Sequence, residues 1–395
     1  MTAGIPRTSD GARGATRSIG LLTSVGSTLD AFFPEIVEHW TRAGVRVSTA
    51  AGDRSRRFAE QRVIDGMTRA PRIANVRAPR ALRAWVLRDR LDVVITSTAT
   101  ASALSRIVAL PVPVVYFCHG LHWNGSRLRD APFRAAERVL LHRSAGVICI
   151  NDADEEWFAD RAPHVPRVRL PGGVGLDVAR YAREPREAWR PGEPLRLVWC
   201  GEFTARKQPE AAVALVEALL ARGVPVELDM LGEGARWAPL RDRVGSALPV
   251  RFPGYVDPRP HFARAHALVQ TSRWEGLPRV ALEAVAMGIP TAGFDVKGVR
   301  DVPGTRTAPE GDIEALADAV LDAARTRGED LPDPALLSYT RAADEILAFV
   351  DRVAPLPASA APPASAAPPT SAARPAPAAP PASAAPTVPA RAEGS

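Results

Sequence analysis

ALVQTSRWEGLPRVALEAVAMGIP, residues 267–290, is the stretch on which the fold turns. Its first six residues, Ala267 to Ser272, form a short apolar run bounded by polar residues, the pattern of a buried parallel strand. Arg273 to Leu277 then make the loop at that strand's carboxyl end. Pro278 suits the first helical position, where its missing N–H is no loss, so the helix is expected to run to Met287 before Gly288 and Pro290 end it. Such a helix start aims backbone N–H groups and a positive dipole into the crevice above the strands and attracts phosphate. Glu275 in the loop and Glu283 about a turn and a half into the helix can both accept hydrogen bonds from hydroxyls attached to that phosphate. A sugar nucleotide offers this combination. The plainer alternative is a dipole-stabilising Glu275 and a solvated Glu283.

Outward from this unit, strands and helices alternate along the chain. Ile19 to Val25, Val45 to Ala50, Leu91 to Thr98, Val112 to Cys118 and Ala145 to Ile150 read as strands, with helical segments such as Leu29 to Ala43 and Pro132 to His142 between them. A Pro/Gly-rich connector follows, and the alternation restarts with Leu195 to Gly201, Val224 to Gly232, Val250 to Tyr255 and Pro290 to Asp295, with a helix from Glu210 to Ala221. The fold class is α/β, two doubly wound Rossmann-like domains facing across a cleft. The expected division is a disordered lead at 1–18, a first domain at 19–172, a hinge at 173–194, a second domain at 195–337 and a terminal helix at 338–353. From Ala354 onward the Pro/Ala/Ser tract is too poor in large apolar residues to pack and is expected to be a disordered tail.

Charge is unevenly placed: 25 Lys and Arg oppose 16 Asp and Glu in residues 1–170, against 25 and 28 in the remainder. Arginines punctuate the apolar runs from Pro79 to Arg90 and from Ser126 to Arg143, the pattern of basic amphipathic helices that rest on an anionic membrane surface; ordinary solvated basic faces are the alternative. Nucleic acid is not an expected partner, because aromatic interleaving is sparse and no reading motif occurs. No apolar run approaches the roughly 18 residues of a membrane span, and the N-terminus lacks the apolar core of a signal peptide, so a cytoplasmic location, peripheral at the inner face of the membrane, is expected. Cys118, Cys149 and Cys200 are odd in number and lie at or near the ends of apolar runs, as small buried thiols do.

These motifs resemble those of the retaining glycosyltransferases of family 4, which have the two-domain GT-B fold. Gly201 to Glu210 (GEFTARKQPE), Met230 to Gly234 (MLGEG), Arg251 to Val256 (RFPGYV) and Glu275 to Pro290 occur in that family's order. In the first half, Tyr116 to Gly125 (YFCHGLHWNG), Val147 to Phe158 (VICINDADEEWF) and Leu170 to Tyr181 (LPGGVGLDVARY) are similar to segments of members that build capsular and exopolysaccharide glycans. The resemblance implies a nucleotide-diphosphate sugar, UDP-linked, as donor, and a lipid-linked or other glycan as acceptor. It implies contacts from Glu275 to the donor sugar, from Glu283 to the ribose, and from the Gly276 and Leu277 amides to the diphosphate. Lys207 matches the family's diphosphate-binding lysine. It is one of two lysines, with Lys297, in a chain that otherwise uses arginine. An ammonium on a flexible stem can follow a phosphate as its charge grows, whereas a planar fork prefers one geometry. Many relatives carry an arginine where this chain has Glu202, so either Arg206 is the candidate for the second cation or the usual clamp is incomplete.

His119 follows a strand and precedes Gly120, so it is expected to project into the cleft, where the family places a histidine near the reacting sugar; capping the loop is the alternative. His122 is a weaker candidate. Gly26, in the first strand-to-helix loop, would let the backbone approach phosphate or acceptor closely, although such a glycine is more often a turn. Asp152-Ala153-Asp154 opens a helix and is expected to serve capping and dipole roles rather than Mg²⁺ binding. The resemblance implies no metal and no cofactor, and a front-face transfer in which the leaving phosphate helps take the acceptor's proton. A GT-B nucleotide-sugar 2-epimerase and a catalytically silent binding protein are the competing classes.

Overall fold

The computed structural model describes residues 16–356, apart from Pro71, His122, residues 124–126 and residues 185–186. The sequence-expected tail from 357 onward, most of the expected disordered lead and the candidate His122 lie outside the described residues.

Two parallel sheets carry the fold. The first holds β1 (Ser18–Leu22), β2 (Arg46–Ala51), β3 (Arg62–Val63), β4 (Val93–Thr96), β5 (Val114–Phe117), β6 (Gly146–Cys149) and β7 (Arg167–Arg169), in the order β3-β2-β1-β4-β5-β6-β7. The second holds β8 (Leu195–Cys200), β9 (Val226–Leu231), β10 (Val250–Gly254), β11 (Ala267–Gln270), β12 (Thr291–Phe294) and β13 (Arg306–Ala308), in the order β10-β9-β8-β11-β12-β13. In each sheet the strand order therefore reverses once, between β1 and β4 and between β8 and β11. Ligands bind at such switch points, beyond the carboxyl ends of the strands. The expected α/β class and its two doubly wound domains are what the chain adopts. β3, β7 and β13 are the strands that periodicity passed over: they are two or three residues long and lie at sheet edges, where one side faces solvent and the apolar run that marks a central strand is absent.

The helices are α1 (Gly26–Phe32), α2 (Pro34–Arg42), α3 (Ala78–Arg88), α4 (Ala99–Ile107), α5 (Arg127–Leu141), α6 (Asp152–Arg161), α7 (Pro209–Ala221), α8 (Trp237–Val244), α9 (Arg259–Phe262), α10 (Arg279–Ala286), α11 (Ile313–Arg325) and α12 (Tyr339–Val353). The single helix expected from Leu29 to Ala43 is two, because Pro34 lacks the N–H that would continue the ladder and instead opens α2. Pro278 likewise stands one residue earlier than expected, as the N-cap of α10 with ψ 107°. It takes the extended conformation, and Arg279 is the first helical residue.

The last helix returns to the first domain. Ala343, Ile346, Phe349 and Val350 of α12 join the core built from Ile19, Leu21, Trp40, Val115 and Ile148, and the Trp40 indole donates to the Ala343 carbonyl at 2.9 Å. Arg17 is buried, pairs with Asp351 at 2.8 Å and donates to the Ala354 carbonyl at 2.7 Å. The ordered core thus extends beyond both expected edges: Arg17 and Ser18 belong to it at one end and the buried Ala354 at the other. The connector is tied to the second domain through Arg183, which donates to the carbonyls of Val285, Leu331 and Pro332.

Candidate active site

β11 ends in Gln270, and the loop behind it is strapped to the loop behind β8. The Thr271 hydroxyl faces the carbonyls of Lys207 and Gln208 at 2.8 and 2.9 Å and accepts from the Trp199 indole at 2.9 Å. The Arg273 amide donates to the Arg206 carbonyl at 2.9 Å. Gln208 adopts φ +46°, a left-handed conformation that a side chain resists, so this packing must hold the turn. Lys207 is thereby fixed in front of Glu275.

The buried Glu275 carboxylate joins both cations. Its Oε1 lies 2.6 Å from Lys207 Nζ and accepts from the Ser272 hydroxyl at 2.7 Å, while its Oε2 lies 2.8 Å from Arg206 Nη1. Burial pushes the carboxyl pKa up, but the Lys207 and Arg206 charges and the hydrogen bonds outweigh it, leaving Glu275 below the ordinary range. Arg206 is further held by the Trp274 carbonyl at 3.1 Å and the Trp274 ring face at 5.1 Å. Arg206 therefore stands with Lys207, as the missing arginine at Glu202 suggested.

Glu283, on α10, is buried beside Tyr181 and Arg279. Burial raises its pKa against the opposing effects of a Tyr181 hydrogen bond and the Arg279 charge, 3.4 Å away. The Tyr181 hydroxyl is itself pushed up to about 12 by burial and by Glu283. Tyr181 was passed over as a site residue, though it ends the LPGGVGLDVARY segment; nothing local relates it to a glutamate a hundred residues away.

His119 extends from β5 with its ring stacked on Phe117 at 4.4 Å and close to Phe32 at 5.1 Å. Desolvation by these surroundings lowers the imidazole pKa to about 4, so the ring is neutral at pH 7. Its Nε2 lies 2.6 Å from the Ser97 hydroxyl at the end of β4, the switch-point strand. His119 lines two cavities. One, of about 500 Å³, lies within the first domain against Phe32, Tyr116, Trp123, Phe133 and Leu140. The other, of about 200 Å³, lies between the domains against Gly173, Glu275, Leu277 and Arg279.

The domains touch at two glycines. A Cβ added to Gly276 would sit 2.0 Å from the His119 carbonyl oxygen, and one added to Gly120, at φ +115°, would sit 2.7 Å from Gly276 Cα. Neither loop tolerates a side chain there. Gly26 has a different explanation: its amide donates to Asp53, its Cβ would meet the Arg54 backbone at 2.6 Å, and it lines neither cavity. Packing against the Arg54 backbone by itself requires a glycine there.

Of the capping and dipole roles expected of Asp152 and Asp154, the capping one needs correction; both do stand in the first turn of α6, where a negative charge suits the helix dipole. Asn151 is the N-cap of α6, accepting from the Asp154 amide at 2.9 Å. The Asp154 carboxylate caps no backbone amide of its own helix: it accepts from the Leu121 amide at 2.9 Å and pairs with Lys297 Nζ at 3.1 Å.

Comparison with known proteins agrees with this arrangement. The sequence model for "Glycosyltransferase Family 4" matches residues 33–178, and the one for "Glycosyl transferases group 1" matches residues 194–326. A 2-deoxystreptamine N-acetyl-D-glucosaminyltransferase from Streptomyces fradiae is 29% identical over 324 residues, 73% of this chain and 76% of that one. Sucrose-phosphate synthase from Thermosynechococcus elongatus superposes with a TM-score of 0.67 at 17% identity, over 85% of this chain and 99% of that one. HepE from Anabaena, solved in complex with UDP, gives a TM-score of 0.62 at 17% identity, over 85% and 100% of the two chains. At such identities the solved structures establish the fold alone. With a group 1 match on the domain that carries Lys207 and the two glutamates, and a family 4 match on the domain that carries His119, the chain is a family-4-like glycosyltransferase of GT-B fold and a hexosyltransferase.

Proposed function

We propose that the chain transfers a hexosyl or N-acetylhexosaminyl group from a UDP-sugar to an acceptor hydroxyl with retention of configuration. The observation that carries this is His119 as the common wall of two cavities, one beside Glu275 and one inside the first domain. The second domain holds the donor: Glu283 takes the ribose hydroxyls, Glu275 the sugar, and Lys207, Arg206 and the Gly276 and Leu277 amides the diphosphate. The first domain holds the acceptor. HepE, a relative in fold, is solved with UDP-glucose, and the Streptomyces fradiae relative is named for N-acetylglucosamine transfer.

The bond from the anomeric carbon to the phosphate oxygen breaks while the acceptor oxygen bonds the same carbon on the same face. Lys207 and Arg206 compensate the charge that grows on the departing diphosphate. An imidazole whose pKa is about 4 is too weak a base to keep the acceptor's proton. The proton passes to the leaving phosphate oxygen, and neutral His119, its Nε2 engaged by Ser97, offers Nδ1 as a hydrogen-bond partner to the reacting sugar.

The acceptor cavity is walled chiefly by aromatic and aliphatic side chains, which favours an acceptor with an apolar body, such as a lipid-linked sugar diphosphate of surface-polysaccharide assembly. Leu128 on α5 and Leu87 on α3 are exposed among the arginines of the basic first half, which supports peripheral contact with an anionic membrane at its cytoplasmic face. No helix among the described residues is long and apolar enough to cross a membrane. A water-soluble aminocyclitol acceptor is the second reading, favoured by the name of the Streptomyces fradiae relative. A panel of sugar nucleotides, UDP-N-acetylglucosamine first, is scored for slow hydrolysis without acceptor and then for transfer to a polyprenyl-diphosphate sugar and to a soluble aminocyclitol. Hydrolysis of one donor and transfer to the lipid-linked sugar are expected; conversion of the donor to its epimer, or no turnover of any donor, would overturn the assignment.

A further inference from the structure

The chain keeps two lysines, and the second is not in the donor clamp. Lys297 Nζ crosses from the second domain to the first, donating to the Leu121 carbonyl and pairing with Asp154 at 3.1 Å, with the two side chains 16% and 3% exposed. Around it runs a closed set of bonds. Asp154 also accepts from the Leu121 amide at 2.9 Å and the Asn151 amide group at 2.8 Å, and that same Asn151 group donates to the Gly276 carbonyl at 3.0 Å. The Lys297 carbonyl accepts from the Glu275 amide at 2.8 Å. One residue therefore binds the donor-side loop through its backbone and the acceptor-side loop, two residues past His119, through its side chain.

A neighbouring set lies parallel to it. Asp301 accepts from the Gly298 amide of its own loop at 3.0 Å and, across the interface, from the Asp152 amide at 2.7 Å, with Arg169 3.3 Å away. The seam thus pairs Lys297 with Asp154 in one sense and Asp301 with Arg169 in the other. Charges of both signs on each side fix a register that a uniformly charged seam would not. Of the residues named here that lie outside both reacting loops, Lys297 alone hydrogen-bonds to each.

Resting on the transferase assignment above, we propose that Lys297 is a positioning residue for the transfer step. It holds the His119–Leu121 loop against the Glu275–Gly276 loop, so closure of the cleft at the reacting centre depends on it while capture of the nucleotide does not. Removing the ammonium leaves the Asp154 carboxylate buried without its counter-charge, an unfavourable state that is relieved when the loops part and water enters. Arginine reaches the same carboxylate and carbonyl with a broader group and restores part of the closure.

The test uses the full chain, the donor found by the hydrolysis panel, and UDP as the binding probe. Lys297→Met should lower kcat at least tenfold while the UDP dissociation constant stays within threefold of the wild type, and Lys297→Arg should recover part of kcat. Asp154→Asn, a second route should Lys297→Met fold poorly, should show the same split, and the double variant should be no slower than the slower single one, as expected when two residues act through one contact. Small-angle scattering should show a larger radius of gyration for Lys297→Met than for the wild type. A kcat within threefold of the wild type, UDP affinity falling in step with kcat, fully additive single effects, or an unchanged scattering radius would each overturn the proposal. If the wild type turns over no donor, the transferase assignment fails by itself, and scattering and UDP affinity still decide the role of Lys297.

Discussion

Lys207, Arg206 and Glu275 form one electrostatic unit in which the carboxylate orders the two cations. Lys207→Ala should weaken UDP binding by roughly 10- to 100-fold, the value of a charge-assisted hydrogen bond, read by calorimetry. Glu283→Ala should weaken it by about tenfold, through loss of the ribose contact. His119 bears on chemistry instead: His119→Ala, which removes its hydrogen bond to the reacting sugar, should lower kcat by about 10²- to 10³-fold and leave UDP affinity nearly unchanged. Because burial holds its pKa near 4, well under the usual value of about 6.5, the ring does not change charge around neutrality. The pH profile of kcat should therefore lack a step near about 6.5 and stay level from roughly pH 5.5 to 8 as far as this residue is concerned. The same shift links to stability. The unfolded chain binds a proton at His119 that the folded chain refuses, so acidification from about 6.5 toward about 4 removes stability, and a His119→Gln variant should lose less over that window in thermal melts.

At the scale of elements, the loops after β5 and β11 meet through glycines because two backbones there come closer than a methyl group allows. Gly276→Ala should force them apart and lower kcat by about tenfold or more while UDP still binds, with an overpacking penalty of about 1–3 kcal/mol in denaturant melts. The strand-loop-helix unit at 267–290 is legible in the sequence, as are the other central strands, because a buried parallel strand writes itself as an apolar run and a following helix announces its start with proline. Pro34 was as plain a signal and was passed over, so one expected helix became two. Edge strands β3 and β7 carry exposed or half-buried arginines, and no local pattern separates them from loop.

Among the described residues, the last helix closes the fold. α12 leaves the second domain and completes the core of the first, so a chain ending at Ser338 should lose the cooperative unfolding of the first domain, whereas one ending at Leu356 should melt and turn over as the full chain does. Circular dichroism and the donor-hydrolysis rate distinguish these outcomes. Cutting after Val353 is expected to be less benign, since the buried Arg17 would lose the Ala354 carbonyl.

The proposed donor half of the site is a reading of residue order, since Glu275, Gly276, Leu277 and Glu283 lie within one strand-loop-helix unit and Lys207 is conspicuous among arginines. Such short-range geometry is fixed by backbone preferences. The pairing of Tyr181 with Glu283, of Ser97 with His119 and of Lys297 with Asp154, and the depressed basicity of His119, belong to the assembled cleft. They arise when segments distant along the chain exclude water from one another, and desolvation and long-range contact leave no periodic trace in the order of residues.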